Sequence, residues 1–160
     1  MGLENDQGIW NEEIEDVQRL FCEYFTSIFT TTNPSPTQLN AALTNLSQRV
    51  TREMNNFLDK KFTKEKISTA LAQMCPTKAA GPDGLPAAFF QNHWNLVKER
   101  MITTCLHILN EGCSLAPLNH TYIALIPKVH NLTKVTNFRL ISLCNVIYRI
   151  LAKILANRLK

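Results

Sequence analysis

The sequence lacks the cysteine and histidine patterns of disulfide-rich and zinc-binding proteins. Its five cysteines are odd in number and none are spaced as Cys-x-x-Cys, so neither a disulfide framework nor a zinc finger follows. Free cysteines are typical of a reducing compartment, the nucleus or the cytoplasm. The four histidines include no pair spaced four residues apart. We therefore assign no histidine as a ligand and expect no metal site.

Long apolar runs and targeting signals are also missing. No run approaches the roughly 20 apolar residues that a membrane-spanning helix needs, so we expect no membrane partner. The N-terminus is acidic, unlike a secretory signal or a transit peptide. These absences favour an intracellular protein.

Acidic residues are absent after Glu111, whereas lysine and arginine continue to Lys160. Residues 1–48 hold seven acidic residues and one basic residue, and residues 49–160 hold sixteen basic and six acidic residues. A basic segment of this length favours a polyanionic partner, most commonly nucleic acid. The alternative is a charged face that only keeps the chain in solution.

The N-terminal third divides into a helix and a linker. Apolar residues at helical spacing predict an amphipathic helix within residues 1–30: Trp10, Ile14, Val17, Phe21, Phe25 and Ile28. Residues 31–48 are interpreted as a linker, because the prolines and small polar residues around residue 35 are expected to hold neither helix nor sheet. Residues 49–160 form the remaining domain, and weak helical character spans residues 43–58.

A turn-rich segment lies in the middle of the chain. A helix that begins after Thr63 ends before Pro76, and the residues that follow are Lys78, Ala79, Ala80, Gly81, Pro82, Asp83 and Gly84. Gly-Pro-Asp-Gly predicts a turn, and its glycines allow a ligand to approach the backbone closely. By itself the segment favours a surface turn over a phosphate cradle. Residues 86–111 are predicted to form two helices, which end at Gly112.

Two short apolar runs, Tyr122–Pro127 and Phe138–Leu143, predict a pair of strands. The first run is apolar on both alternating faces, so we expect it to be buried on both sides. A hairpin-like return brings Lys128 and Arg139 to the same end of the pair. Two cations there suit an anion, most plausibly a phosphate. The alternative is two solvated charges that flank a turn.

The last segment is predicted to be a helix over residues 143–160. One face is apolar and the opposite face carries Arg149, Lys153 and Lys160. Arg158 falls among the apolar positions, where it either extends to solvent or meets an acceptor outside the chain. The apolar face, with Ile150 and Ile154, is expected to need cover from outside this sequence, either from a missing segment or from another chain.

Taken together, these motifs resemble one family closely. The segments are Lys78–Gly84, Leu125–Lys128, Phe138–Leu143 and the helix that ends in Leu155-Ala-Asn-Arg-Leu-Lys160. Their order and spacing are similar to the N-terminal fingers region of reverse transcriptases from plant non-LTR (LINE-type) retrotransposons. The resemblance covers residues 9–160 and is strongest from Phe62 onward.

The resemblance implies a fold and a set of roles. The fold is α+β and mainly α: the fingers of a right-hand polymerase with a small antiparallel sheet, incomplete because the palm is absent. Lys128 and Arg139 would face the triphosphate of the incoming nucleotide. The Gly81–Gly84 loop, with Lys78, Pro82 and Asp83, would lie over the template strand, and Arg149 and Lys153 would line its path. The partners would be an RNA template and a DNA primer.

Two departures from the family pattern are visible. Leu140 stands where the family usually has proline, which leaves the backbone after Arg139 less restricted. Polymerases also need carboxylates that hold two metal ions, and the family's lie in the palm. Asp83 and Glu111 are the last acids here, and neither sits in a metal-binding pattern, so no catalytic residue is assigned. Mg²⁺ is implied only for a full-length enzyme.

Three functions remain open. The first is the fingers portion of an RNA-directed DNA polymerase, inactive alone, which binds RNA or primer–template in a salt-dependent manner without synthesis. The second is a stand-alone RNA-binding module, which cooperative folding and tight RNA binding would favour. The third is a helical interaction protein that docks through the aromatic stripe of the N-terminal helix, which binding insensitive to salt would favour.

Overall fold

The computed structural model describes residues 2–44, 46–47 and 49–160. Its helices are α1 (Ile14–Phe29), α2 (Pro36–Leu43), α3 (Arg52–Leu58), α4 (Lys64–Ala72), α5 (Ala87–Asn92), α6 (Trp94–Glu111) and α7 (Val146–Arg158). Its strands are β1 (Leu3–Glu4), β2 (Trp10–Asn11), β3 (Thr121–Pro127) and β4 (Phe138–Cys144). β1 with β2 and β3 with β4 form two small antiparallel sheets. Within the described ranges, none of the helices combines the length and apolar character needed to cross a bilayer.

The chain divides into two compact units. The N-terminal unit comprises Met1–Arg49 and Leu125–Ile141, and the helical unit comprises Val50–Ala124 and Ser142–Lys160. Residues 125–141, which lie far along the chain, group with the N-terminal residues instead of the helical ones.

The N-terminal unit is built on the apolar face of α1. Phe21 meets the ring of Phe138 edge-to-face, with 5.1 Å between ring centroids. Leu3, Val135 and Phe138 are buried in this cluster, and side chains on α1 pack around them. Glu15 lies in the first turn of α1, where a negative charge stabilises the helix dipole. The aromatic spacing of α1 therefore builds a core against a segment more than a hundred residues away.

The expectation that residues 31–48 hold no helix is wrong, because α2 occupies Pro36–Leu43. Ser35 caps the helix: its hydroxyl accepts from the Gln38 amide at 3.3 Å, and the Gln38 side chain accepts from the Ser35 amide at 2.8 Å. Pro36 stands at the first helical position, where its missing N–H costs nothing. The proline begins the helix instead of preventing one.

The helical unit has a continuous core formed by α4, α5, α6 and α7. Its most enclosed side chains come from each helix: Ile67, Ala70, Leu71, Ala87, Phe90, Met101, Cys105, Val146, Ile150, Leu151 and Ile154. Ile150 and Ile154 are 0% and 2% exposed. The expectation that the apolar face of α7 needs cover from outside the chain is therefore wrong, since this helix packs against α4 and α6.

Side-chain amides fix the ends of these helices. The Gln91 amide donates to the carbonyls of Leu71 and Met74, at 2.9 and 3.0 Å, which satisfies the end of α4. Asn110 accepts from the amide of Phe62 and donates to its carbonyl, at 2.8 and 3.1 Å. The end of α4 is therefore held in place, and the segment that carries Lys78 starts from this fixed point.

The pairing of β3 with β4 follows one register. The Lys128 amide donates to the carbonyl of Asn137 at 2.8 Å, and the Thr121 hydroxyl donates to Cys144 Sγ at 3.3 Å. Both contacts fit a single antiparallel alignment. In that alignment Ile126 lies opposite Arg139, and Lys128 lies diagonal to Arg139 on the same face.

The prediction that β3 is buried on both faces is wrong. Tyr122, Ile123 and Ile126 are 55%, 49% and 44% exposed. In the N-terminal unit, Leu125 and Phe138 pack into the cluster around α1. A two-stranded sheet that is covered on one side leaves its other apolar side chains in solvent.

Candidate nucleic-acid interface

Three of the cations predicted to bind nucleic acid converge on one depression of the helical unit. Arg149 and Lys153 are one turn apart on α7, and Lys78 follows the end of α4. They line a cavity of about 240 Å³ together with Gln73, Met74 and Cys75. We call this cavity the basic depression. Its lining residues include three cations and no carboxylate, so its potential is strongly positive.

The guanidinium of Arg149 is the unusual group in the basic depression. Its Nε and Nη2 atoms are buried and have no hydrogen-bond partner among the described residues. A buried donor without a partner loses its hydration and gains nothing in return, and the cost is larger for a charged group. An anion that accepts from these two nitrogens would remove that cost. Guanidinium is also the group best suited to a bidentate contact with phosphate.

A cysteine borders the same cations. The Cys75 Sγ atom lies 3.6 Å from the hydroxyl oxygen of Thr77 and is exposed. The side-chain hydrogen bond of Thr77 lowers the pKa of the Cys75 thiol, and the backbone of Thr77 and the charge of Lys78 act in the same direction. Cys75 is not among the site residues predicted from the sequence. Its position three residues before a lysine was the signal that could have indicated an electropositive surrounding.

The glycine-rich turn is held against the start of α7. A Cβ atom on Gly81 would lie 2.5 Å from the backbone nitrogen of Asn145, so only glycine fits there. The Asp83 amide donates to Asn145 Oδ1 at 3.3 Å, and Asp83 itself accepts from the Leu85 amide at 3.1 Å. The turn closes through a bond of 3.0 Å from the Gly84 amide to the Gly81 carbonyl. This packing holds the segment that follows Lys78 against the helix that carries Arg149.

These contacts define what the turn can offer a partner. Gly81 is buried, Pro82 is half-buried, and Asp83 and Gly84 are exposed. The missing side chain of Gly81 is required by a contact inside the chain, and Asp83 stabilises the turn with one carboxylate oxygen. The contact of this loop with a template strand stays a prediction. If it occurs, it is made by the exposed residues and not by Gly81.

Lys128 and Arg139 lie in the N-terminal unit, on the exposed face of the β3–β4 sheet. The Lys128 ammonium donates to the carbonyl of Thr136 at 2.9 Å, so one of its hydrogens is already used. The Arg139 side chain is exposed and has no ion pair among the described residues. A diagonal pair is about 7–8 Å apart at the backbone, close enough for two long cations to reach one triphosphate. Binding of a nucleotide there stays a prediction.

The contacts of Arg158 differ from those expected from the sequence, which were solvent or an acceptor outside the chain. Its Nη1 atom donates to the carbonyl of Leu58 at 2.8 Å, and its guanidinium lies 3.1 Å from the centroid of the Phe62 ring. Burial lowers the pKa of Arg158, and the charge of Asp59 opposes that change. An acceptor and a stacking surface are therefore supplied by the chain itself, although Nε and Nη2 have no partner among the described residues.

Comparisons with known proteins relate part of the chain to a transposon-encoded protein. The chain matches no known protein-family profile. Over 103 residues, which are 64% of the chain, it is 30% identical to a Xenopus laevis protein described as the transposon TX1 uncharacterized 149 kDa protein. The match spans 8% of that protein's length. The chain is thus similar to a short portion of a transposon-encoded protein.

Proposed function

We propose that this chain is the fingers portion of an RNA-directed DNA polymerase encoded by a non-LTR retrotransposon, and that it holds the template and the incoming nucleotide. The observation that carries the proposal is the basic depression, which Lys78, Arg149 and Lys153 line together. Two nitrogens of Arg149 are buried and have no hydrogen-bond partner among the described residues. Three cations without a carboxylate suit a nucleic-acid backbone. Similarity to a transposon-encoded protein supports this origin, and the relative is from a frog, so the proposal is not restricted to plant elements.

The proposed contacts divide between the two units. The basic depression of the helical unit binds backbone phosphates of the template. Lys128 and Arg139, in the N-terminal unit, bind the phosphates of the nucleotide. Lysine and arginine stabilise such charges as hydrogen-bond donors that need no reorganisation when the ligand arrives.

The residues around the basic depression do not fit the two-magnesium centre of a polymerase. The basic depression has no carboxylate in its lining, and Asp83 uses one oxygen for the Leu85 amide. Two-metal catalysis needs carboxylates that hold both ions. We therefore assign no catalytic step to this chain and expect it to bind nucleic acid without extending a primer.

The experiment is a binding titration of the full chain with a labelled RNA template annealed to a DNA primer. Fluorescence anisotropy measures binding, and the titration is repeated over a series of salt concentrations. Each phosphate contact contributes a slope of about −0.7 to −0.9 to log K against log salt. The triple variant Lys78→Gln, Arg149→Gln, Lys153→Gln should lose about 2 units of that slope. The control is Arg100→Gln, which changes an exposed arginine on α6 outside the depression.

Equal slopes for the triple variant and the wild type would contradict the proposal. Primer extension in the presence of Mg²⁺ by the chain alone would contradict the assignment of a binding role without chemistry. Tight RNA binding that ignores the primer and nucleotide would favour the stand-alone RNA-binding module instead. Nucleotide binding is tested separately: Arg139→Gln should weaken triphosphate binding, whereas Arg19→Gln on α1 should not.

A further inference from the structure

A separate group of side chains lies at the end of α6, in the helical unit. His107 and Glu111 are one turn apart in the last part of the helix, and Cys113 follows the helix end. Their ligand atoms all lie within 4.8 Å of one another. The His107 Nδ1 atom is 3.3 Å from Glu111 Oε2. The sequence analysis assigned no metal ligand among the histidines or to Glu111, and this arrangement gives a reason to reconsider His107 and Glu111 together with Cys113.

The local backbone explains why the three groups meet. Residues four apart on a helix lie on the same face, which places His107 above Glu111. Gly112 then adopts a left-handed conformation, with φ of 71°, and ends the helix. Cys113 follows this left-handed residue, and its thiol lies within 4.8 Å of the ligand atoms of His107 and Glu111. A surface ion pair explains why His107 and Glu111 lie close together, but it does not explain why Cys113 lies near them.

The distance between His107 and Glu111 and the three donor types suit zinc. A tetrahedral zinc ion bonded at roughly 2.0–2.1 Å to a nitrogen and an oxygen holds those two atoms about 3.3 Å apart. Imidazole nitrogen, carboxylate oxygen and thiolate sulfur are the three donors that zinc uses in proteins. The His107 and Glu111 side chains are 55% and 59% exposed, so an ion can enter and a water molecule can complete the coordination.

We propose that His107, Glu111 and Cys113 form a site for Zn²⁺ with three protein ligands and one open position. The bound ion fixes the end of α6 to the segment that leads to β3. Binding removes the proton from the Cys113 thiol and requires neutral His107, so affinity rises as pH rises. This proposal is independent of nucleic-acid binding, because none of its residues lines the basic depression.

The test uses Co²⁺ as a spectroscopic substitute for Zn²⁺, added to the metal-free full chain under reducing conditions. We expect one equivalent of cobalt to give a thiolate-to-cobalt charge-transfer band and the intense visible bands of tetrahedral coordination. Stoichiometric Zn²⁺ should then displace the cobalt and raise the midpoint of thermal unfolding. Cys113→Ser should abolish the charge-transfer band, and His107→Ala should weaken cobalt binding by at least about tenfold.

Cys22→Ser is the matched control, because Cys22 is also exposed but lies on α1. It should leave the spectrum and the affinity unchanged. A charge-transfer band that survives Cys113→Ser, or that is lost in Cys22→Ser, would overturn the proposal. The same conclusion would follow if the wild-type chain gave only the weak octahedral spectrum of cobalt in water.

Discussion

Replacing Arg149 with methionine should have opposite effects on folding and on nucleic-acid binding. Methionine keeps the unbranched stem that packs along α7 but removes the guanidinium. In the free protein the Nε and Nη2 atoms of Arg149 are buried without partners. The replacement removes these donors and their charge but keeps the packing of the stem, so it separates a binding role from a structural one.

The expected magnitudes follow from the burial of those two nitrogens. An unsatisfied buried polar group costs about 1–3 kcal/mol, and more when it is charged. Arg149 is only half-buried as a whole, so we expect the lower part of that range, about 1 kcal/mol of added unfolding free energy. Losing a charge-assisted hydrogen bond to phosphate costs about 1.5–3 kcal/mol, which corresponds to at least about a tenfold loss of affinity.

Two measurements on the same variant test this prediction. Urea unfolding gives the change in stability, and anisotropy with labelled RNA gives the change in affinity and in salt slope, which should fall by about 0.7. Arg100→Met, on the exposed surface of α6, is the matched control and should change neither quantity by much. If Arg149→Met destabilises the chain and leaves RNA affinity unchanged, the guanidinium has a structural role and the reasoning fails.

Three further predictions concern packing and thiol chemistry. Gly81→Ala should destabilise the chain by about 1–3 kcal/mol in urea unfolding, because its Cβ would meet backbone atoms at 2.5 Å. Thr77→Val should raise the pKa of Cys75 and slow its alkylation at neutral pH, measured by mass spectrometry. Burial raises the pKa of Cys105 from 9.0 to about 11, so its contribution to stability is present below about pH 9 and falls by about 2–3 kcal/mol toward pH 11.

Each of these has a comparison that can refute it. Gly84→Ala meets no atom within 4 Å and should cost only the strain of its left-handed conformation, about 1–2 kcal/mol. A Gly81→Ala variant as stable as the wild type would contradict the packing account. An unchanged alkylation rate in Thr77→Val would exclude the proposed hydrogen bond. Cys105→Ala should flatten the alkaline decline in stability, and an identical decline would assign that decline to other groups.

Local patterns predicted most elements of this fold. The stripe of α1, the two helices between residues 86 and 111, the stop at Gly112 and the strand pair around Pro127 all follow from periodicity and turn residues. Those patterns depend on residues that are close in sequence, because backbone sterics and helix capping act over only a few residues. The helix at Pro36 also has a local signal, since Ser35 and Gln38 stand at capping-box spacing and proline is favoured at the first helical position.

Tertiary contacts were not predictable in the same way. The sequence of β3 is apolar on both faces of the strand, but it does not reveal that no other element covers one of those faces. The apolar face of α7 gave no sign that α4 and α6 enclose it. For the candidate site, the sequence supplied Lys78, Arg149 and Lys153 as separate cations. Their meeting in one depression depends on a contact between Gly81 and Asn145, residues that are distant in the chain.

The central claim is that the basic depression binds the phosphates of a nucleic acid, and lysine footprinting tests it most directly. The full chain is acetylated with and without RNA, and each lysine is quantified by mass spectrometry. We predict that RNA protects Lys78 and Lys153, while Lys60 and Lys64, exposed elsewhere in the helical unit, stay reactive. Bound RNA that leaves Lys78 and Lys153 as reactive as in the free chain would contradict the claim.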